Sequence, residues 1–326
     1  MEQLPHITDY PSGISVIDAQ YHRPGRAAIH LIEENGIAAL VDTGTRFSVP
    51  GVMAALAHKN IAAEQIAYVF LTHIHLDHAG GASEFMRQLP NAKLVVHPRG
   101  ASHMANPVKL IAGVMAVYGE AKFRRMYGEI HPIAADRIIE APDGTCIELN
   151  GRPLALLDTP GHARHHYCIF DRKSESIFTG DTFGVSYREF DVNGLEFVFP
   201  TTSPVQFDPE AAHASLARLM QLHPLHAFLT HYGRIGNLPH HASQMHSLID
   251  AFVAIAQQAM EHPDRHATIV QDLQNLLWQR LTAHGCTLPQ DTAFSLLQTD
   301  IELNSQGLEI WLDQATRSSL DKAAVK

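Results

Sequence analysis

The chain has 326 residues, 45% of them apolar, enough for one large domain or for a domain with a substantial appendage. A formal charge of −10 supplies no basic field for a phosphate backbone or an anionic bilayer, which argues against long nucleic acid and against a membrane partner. Cys146, Cys168 and Cys286 are too scattered for a disulfide framework or a Cys-x-x-Cys knuckle, no apolar run reaches a membrane span, and the N-terminus lacks a leader-like pattern, so the expected location is cytoplasmic.

In chain order, GISVIDA (13–19), AAIHLIE (27–33) and IAALVDTG (37–44) read as strands of a meander, the last two joined at a hairpin signal, Glu34-Asn35-Gly36. Residues 50–58 and 80–89 suit short helices stopped by Asn60 and Pro90. Further strands are expected at LVVHP (94–98), RIIEA (137–141), PLALLD (153–158) and ESIFTG (175–180), with AFLT (227–230) closing the series. Between them, 107–128 carries Leu110, Ile111, Val114, Met115 and Tyr118 at helical spacing, an insertion that serves either as an outer packing helix or as a lid.

Beyond residue 240 strand patterns give way to apolar stripes of period 3.6. One runs Met245, Leu248, Ile249, Phe252, Val253, Ala256; a second runs Ile269, Val270, Leu273, Leu276, Leu277, Leu281. A third helix is expected around Phe294, Leu297 and Ile301, and a last one at 308–317. The division that follows is 1–240 as a mixed α/β domain and 241–326 as a C-terminal helical region.

Histidine is the compositional outlier, with 23 residues against 24 Lys and Arg together. Spacing separates the informative ones. In Thr72-His73-Ile74-His75-Leu76-Asp77-His78-Ala79-Gly80-Gly81, four ligand-type side chains fall within six residues. On an extended segment His73 and His75 project to one side, while Asp77 and His78 fall where the chain turns toward the next helix. Burying three imidazoles and a carboxylate together without a cation would leave costly polar groups, so a purely structural role explains this block poorly. The same grammar recurs. VFLT before His73, LLDTPG before His162, IFTG before Asp181 and AFLT before His231 each set a His or Asp just past an apolar run. Ligands at strand exits can converge on one edge of a sheet. VDTG (41–44) repeats the pattern, and Asp42 is expected to support ligands rather than be one.

This ordered set resembles the metallo-β-lactamase superfamily, and its motif order is similar to the glyoxalase II-like hydrolases within it. The resemblance covers residues 12–235: the Asp42 strand end, the HxHxDH block, Gly161-His162, Gly180-Asp181 and Thr230-His231. It implies an α/β fold, the four-layer αββα sandwich, here with a helical C-terminal appendage. It also implies that His73, His75 and His162 hold one metal, that Asp77, His78 and His231 hold another, and that Asp181 bridges both. Two divalent transition-metal ions are expected, zinc by default, with iron or manganese equally suited to such donors. The implied reaction is hydrolysis by a metal-bridging hydroxide that Asp77 orients. His166, in TPGHARHHYCIF, is expected to support the ligands, and Tyr187 to line the pocket. His240, His241 and Met245 stand where the appendage begins and either face the site or, as is the commoner fate of such a His pair, point to solvent.

The departures narrow the choice. The bridging position is Asp181 rather than the Cys of secreted β-lactamases, the basic residues that hold glutathione in glyoxalase II have no match in 241–326, and the second ligand set is complete, unlike that of the iron persulfide dioxygenases. An ester, thioester or lactone hydrolase of small-molecule substrates is the first expectation. A phosphodiesterase for a small nucleotide-type substrate and a non-catalytic metal-containing ligand sensor are the alternatives, and a homodimer is left open.

Overall fold

The computed structural model describes residues 4–202 and 205–324. The chain forms two compact units. The first comprises Met1–Asp158, His165–Gly180 and His223–Gly236; the second comprises Thr159–Arg164, Asp181–Leu222 and Asn237–Lys326.

The first unit contains a seven-stranded sheet whose order is its sequence order: β1 (Ile7–Tyr10), β2 (Ile14–Asp18), β3 (Ala28–Glu34), β4 (Ile37–Val41), β5 (Ile66–Phe70), β6 (Lys93–Val96) and β7 (Ile138–Glu140). The expected hairpin pairs Glu34 with Ile37 across Asn35 and Gly36, both at positive φ. Strands β1 to β4 are antiparallel neighbours and β4 to β7 parallel ones, so each parallel step needs a crossover. The first two crossovers are α1 (Val49–His58), then the short α2 (Leu76–Ala79) with α3 (Ala82–Gln88).

The third crossover holds three helices, α4 (Pro98–Ala105), α5 (Val108–Tyr118) and α6 (Glu120–Tyr127). The expected insertion helix is thus two helices. Gly119, at φ 77, breaks them where the chain adopts a conformation that side chains with a Cβ avoid. Leu110, Ile111, Val114 and Met115 pack with Phe123 and Tyr127 around Leu76. The side chain of Tyr118 lies outside the described residues.

Period-2 alternation gives this sheet two buried faces. Leu40, Val69, Leu94 and Val96 pack with Val52, Leu56, Phe85 and Met104 of the crossover helices. Ala39, Val41, Phe70 and Val95 turn the other way, onto Leu154, Ile169, Phe178 and Phe228 of a second sheet. That sheet has the order β13-β12-β11-β10-β9-β8. Its strands are β8 (Cys146–Leu149), β9 (Arg152–Asp158), β10 (Tyr167–Asp171), β11 (Ser176–Val185), β12 (His226–His231) and β13 (Gly233–Ile235). Strand β11 leaves the first unit at Gly180, and its continuation from Asp181 belongs to the second. Between the sheets Arg152 is fully buried, donating to Asp171 and to the carbonyls of Ser12 (2.6 Å) and Glu33 (3.2 Å). Such a cation is tolerated only because its donors are matched.

Sequence patterning missed β1, β8, β10, β13 and the helices α4 and α7. AFLT does not close the strands, because β13 folds back on β12. Each missed strand is only three to five residues long. Runs that short leave too few alternations to read.

The second unit is mainly helical, with α7 (Pro209–Met220), α8 (Leu238–Gln258), α9 (Arg265–His284) and α10 (Gln290–Ala324). Asp208 caps α7 by accepting from Ala211 N at 3.0 Å, with Pro209 in the first turn, where a missing N–H costs nothing. The two helices expected after residue 288 are one. Ala293, Leu297, Ile301, Leu308 and Leu312 form one buried stripe, and no proline interrupts it.

Candidate metal centre

In the first unit the ligand-type side chains gather around one buried carboxylate. Asp42, at φ 61 just past β4, accepts from Thr72 N (2.8 Å), Thr72 Oγ1 (2.9 Å to each oxygen), Thr230 Oγ1 (2.7 Å) and His78 Nδ1 (2.8 Å). It thereby joins the ends of β4, β5 and β12. Placement of an Asp at positive φ stores a little strain, which the surrounding bonds hold.

A neutral imidazole that donates through Nδ1 keeps Nε2 as a lone-pair donor. His78 donates to Asp42, and His231 Nδ1 donates to the Arg26 carbonyl at 2.8 Å. Both Nε2 atoms face Asp77 Oδ2, at 3.8 Å and 3.4 Å. One ligand atom from each of Asp77, His78 and His231 lies within 4.8 Å of the others. Two donors about 2.1 Å from a common ion, at angles near 90–110°, stand roughly 3.0–3.4 Å apart, as His231 and Asp77 do, while His78 Nε2, at 3.8 Å from Asp77, stands slightly wider. His73 and His75 adjoin them, with ring centroids 4.5 Å apart and His73 4.1 Å from His78.

His166 is fully buried and stacks on His73 at 5.0 Å, with His165 6.2 Å from the same ring. Gly180, at φ 47, makes room for them, since a Cβ there would lie 2.6 Å from both His166 Nε2 and Thr72 Oγ1. Below Asp42, His30 is enclosed by Phe178 (5.4 Å) and Phe228 (5.7 Å), and burial pushes its pKa down to about 4.

The second unit holds His162 and Asp181. His162 Nδ1 and Thr201 Oγ1 are 2.6 Å apart, and the same hydroxyl lies 3.5 Å from Asp181 Oδ2, so the proton order His162 to Thr201 to Asp181 satisfies both. His162 Nε2 then turns its lone pair to Asp181 Oδ2 at 3.4 Å, again the spacing of two donors on one cation. The segment carrying Thr201 is fastened by Asn304 of α10. Its Oδ1 accepts from Thr202 N (2.6 Å), its carbonyl accepts from Thr202 Oγ1 (3.0 Å), and its Nδ2 donates to the Pro200 carbonyl (3.2 Å).

Met245 and Ile249 of α8 line a pocket with His162 and Asp181. Tyr187 is fully buried, its hydroxyl donating to Asp300 at 3.0 Å. His241 is buried beside Glu196 at 3.3 Å, and His240 is exposed. Thr201 and Asn304 escaped the sequence reading. The one signal for Asn304 is an amide inside an apolar helical stripe.

Residues 22–248 match the profile of the Metallo-beta-lactamase superfamily, well over half of the chain. The chain belongs to that superfamily. Among similar proteins, the metallo-beta-lactamase fold-containing protein ST1585 of Sulfurisphaera tokodaii is 27% identical over 228 residues, 68% of this chain and 79% of that protein. Its crystal structure superposes with a TM-score of 0.61 at 23% identity, covering 94% of this chain and 99% of the other, and so shows the shared fold. The acyl-coenzyme A thioesterase MBLAC2 of Gallus gallus is 26% identical over 181 residues, 52% of this chain and 62% of that enzyme. The hydroxyacylglutathione hydrolase of Salmonella typhi is 29% identical over 152 residues, 47% of this chain and 45% of that enzyme. The chain therefore spans less than two thirds of the length of these two enzymes. The superfamily membership and the αββα fold implied by the motif order both hold. No helix among the described residues is long and apolar enough to cross a membrane.

Proposed function

We propose that this protein is a dinuclear metal-dependent hydrolase of a small ester, thioester or lactone, with His73, His75, Asp77, His78, His162, Asp181 and His231 as its ligands. The observation that carries the reading is the orientation of His78 and His231 through their Nδ1 atoms, which turns two ring nitrogens and the Asp77 carboxylate toward one locus. Outer partners that fix the tautomer and direction of an imidazole are the usual support of a metal ligand. The named activities of the thioesterase and hydroxyacylglutathione hydrolase relatives agree with acyl transfer to water.

Divalent cations held there would lower the pKa of a bound water and polarise the acyl oxygen. The chain's own part is positional. Asp42 and the Arg26 carbonyl keep two imidazoles in one tautomer, and Asp77, partly exposed, can accept a proton from water through its carboxylate. In the overall reaction the acyl carbon–heteroatom bond breaks, the acid keeps the water's oxygen and the leaving group takes its proton. Among the described residues no Lys or Arg lines the pocket beside His162 and Asp181, so a phosphodiester's anionic oxygens would find no side-chain cation there.

Purified protein is expected to carry close to two transition-metal equivalents by elemental analysis. The His75→Ala variant should lose metal and turnover together on a panel of esters, thioesters, lactones and bis-phosphodiesters. A fully active protein without metal, or one active only on the phosphodiesters, would refute the proposal.

A further inference from the structure

The helix pair α7 and α8 carries histidines that the proposed reaction does not use. His213 of α7 and His246 of α8 face each other with their Nδ1 atoms 2.6 Å apart and their rings stacked at 4.9 Å between centroids. On its far side His213 Nε2 meets Asp250 Oδ1 at 3.0 Å. An ionised carboxylate only accepts, so His213 Nε2 carries the proton and its Nδ1 presents a lone pair to His246. Two lone pairs cannot face each other at such a distance; the line between the rings is filled by a proton or by a cation. Burial, and then the charge that His213 would carry, hold the pKa of His246 below its ordinary value. Near neutral pH His246 is therefore an uncharged imidazole, the form that ligates metals.

We propose that His213 and His246 form a further metal site, a clasp between α7 and α8 for one transition-metal ion such as Zn²⁺ or Ni²⁺, with Asp250 as the carboxylate that orients His213. The clasp shares no residue with the seven ligands above and does not depend on the hydrolase reading. Imidazole nitrogens stand about 2.0–2.1 Å from such an ion, so the two Nδ1 atoms need to part by only roughly half an ångström. Both imidazoles are half-buried and Asp250 is exposed, which lets solvent complete the coordination. Paired imidazoles select zinc, nickel and copper over calcium and magnesium, which call for oxygen donors. An Asp behind the ring is the support that Asp42 gives His78. The clasp also has something to hold. Helix α7 carries the segment before His162: Ser215 donates to the Pro160 carbonyl at 2.6 Å, and a Cβ on Gly161 would lie 2.5 Å from Ala212 Cα. Ala212, next to His213, and Met245, next to His246, line the pocket with His162 and Asp181. An ion between the two helices would thus brace one wall of that pocket.

The test uses the full-length protein, free of any histidine tag, with whatever metal it carries on purification. Calorimetric titration with Ni²⁺, and separately with Zn²⁺, should show one further equivalent, and Tm should rise by several degrees as that equivalent binds. His213→Ala and His246→Ala should each lose the added equivalent and the rise in Tm while keeping the metal present on purification. His240→Ala, which removes an exposed imidazole at the start of α8, should keep both. Asp250→Asn should retain the site with its affinity lowered by roughly tenfold or more. Circular dichroism and Tm without added metal establish that each variant is folded, and His246→Gln repeats the test should the alanine variant unfold. No further equivalent in the wild type, or one that survives in both histidine variants, would overturn the inference and leave a shared proton as the occupant of the pair. An equal rise of Tm in wild type and variants would do the same.

Discussion

In the first unit one carboxylate, Asp42 at the end of β4, gathers donors from the ends of β5 and β12 and from His78 on α2, which it turns. In the second, His162 Nδ1 meets the Thr201 hydroxyl at 2.6 Å and the Thr201 carbonyl at 3.5 Å, and that segment is secured at a distance by Asn304 on α10. The first arrangement is redundant, and every group in it is buried in the packing between strands. The second is a relay, in which each contact depends on the next. The difference teaches where metal affinity and fold stability are coupled. Around Asp42 they should change together, and around Thr201 they should separate.

The sharpest break of that comparison is Asp42→Ala. It leaves the buried donors of Thr72, Thr230 and His78 without their acceptor, at roughly 1–3 kcal/mol each before relaxation. We expect a loss of stability on the order of 4 kcal/mol in urea unfolding, and at the same time loss of about one metal equivalent. A variant of wild-type stability that merely bound metal less well would show that Asp42 is no structural hub.

A smaller effect belongs to His30, which sits under Asp42 and is held neutral by burial, its folded pKa about 4 against an ordinary 6.5. The unfolded chain binds a proton at this residue at higher pH than the folded one does. Its contribution to stability is therefore complete above about pH 6.5 and is lost as the pH falls from there to about 4. The whole change is on the order of 3 kcal/mol, and His30→Leu should flatten that part of the stability–pH curve. An unchanged slope in the variant would assign the acid sensitivity to other groups.

The smallest stability effects are expected in the relay. Thr201→Val removes the nearer partner of His162 Nδ1, the hydroxyl at 2.6 Å, and leaves the carbonyl at 3.5 Å; it should cost under about 1 kcal/mol, yet weaken metal binding by roughly tenfold. Asn304→Ala, acting one step further back, should lower metal affinity in the same sense while costing about 2 kcal/mol through the unmet Thr202 amide and Pro200 carbonyl. Competitive chelator titration with thermal unfolding separates the two readouts. Equal falls in stability for both variants, with metal affinity untouched, would dissolve the distinction between relay and hub.

Much of this was legible before any coordinates. The HxHxDH block and the repeated placement of His or Asp just past an apolar run are short local patterns, and the resemblance they carry to a known family implied the superfamily and the αββα fold; the apolar stripes after residue 240 are regularities of period 3.6. Even the hydroxyl partners of Asp42 were half visible, because Thr72 and Thr230 occur in the same LT-His context. What stayed hidden follows from distance along the chain. Thr201 and His162 are 39 positions apart, Asn304 and Thr202 are 102, and a side chain that acts across such a gap leaves no periodic mark. The placement of α8 was hidden for a related reason. Met245 and Ile249 read as any other core positions of an amphipathic helix, and only the tertiary packing of α8 determined that this part of its stripe faces His162 and Asp181. Sequence by itself determined which atoms could bind a cation, because ligand chemistry resides in residue type and short spacing. Tertiary structure decided which way the rings of His78, His162 and His231 face and how much space lies beside them, because tautomer, orientation and volume are set by neighbours that the chain brings back from far away.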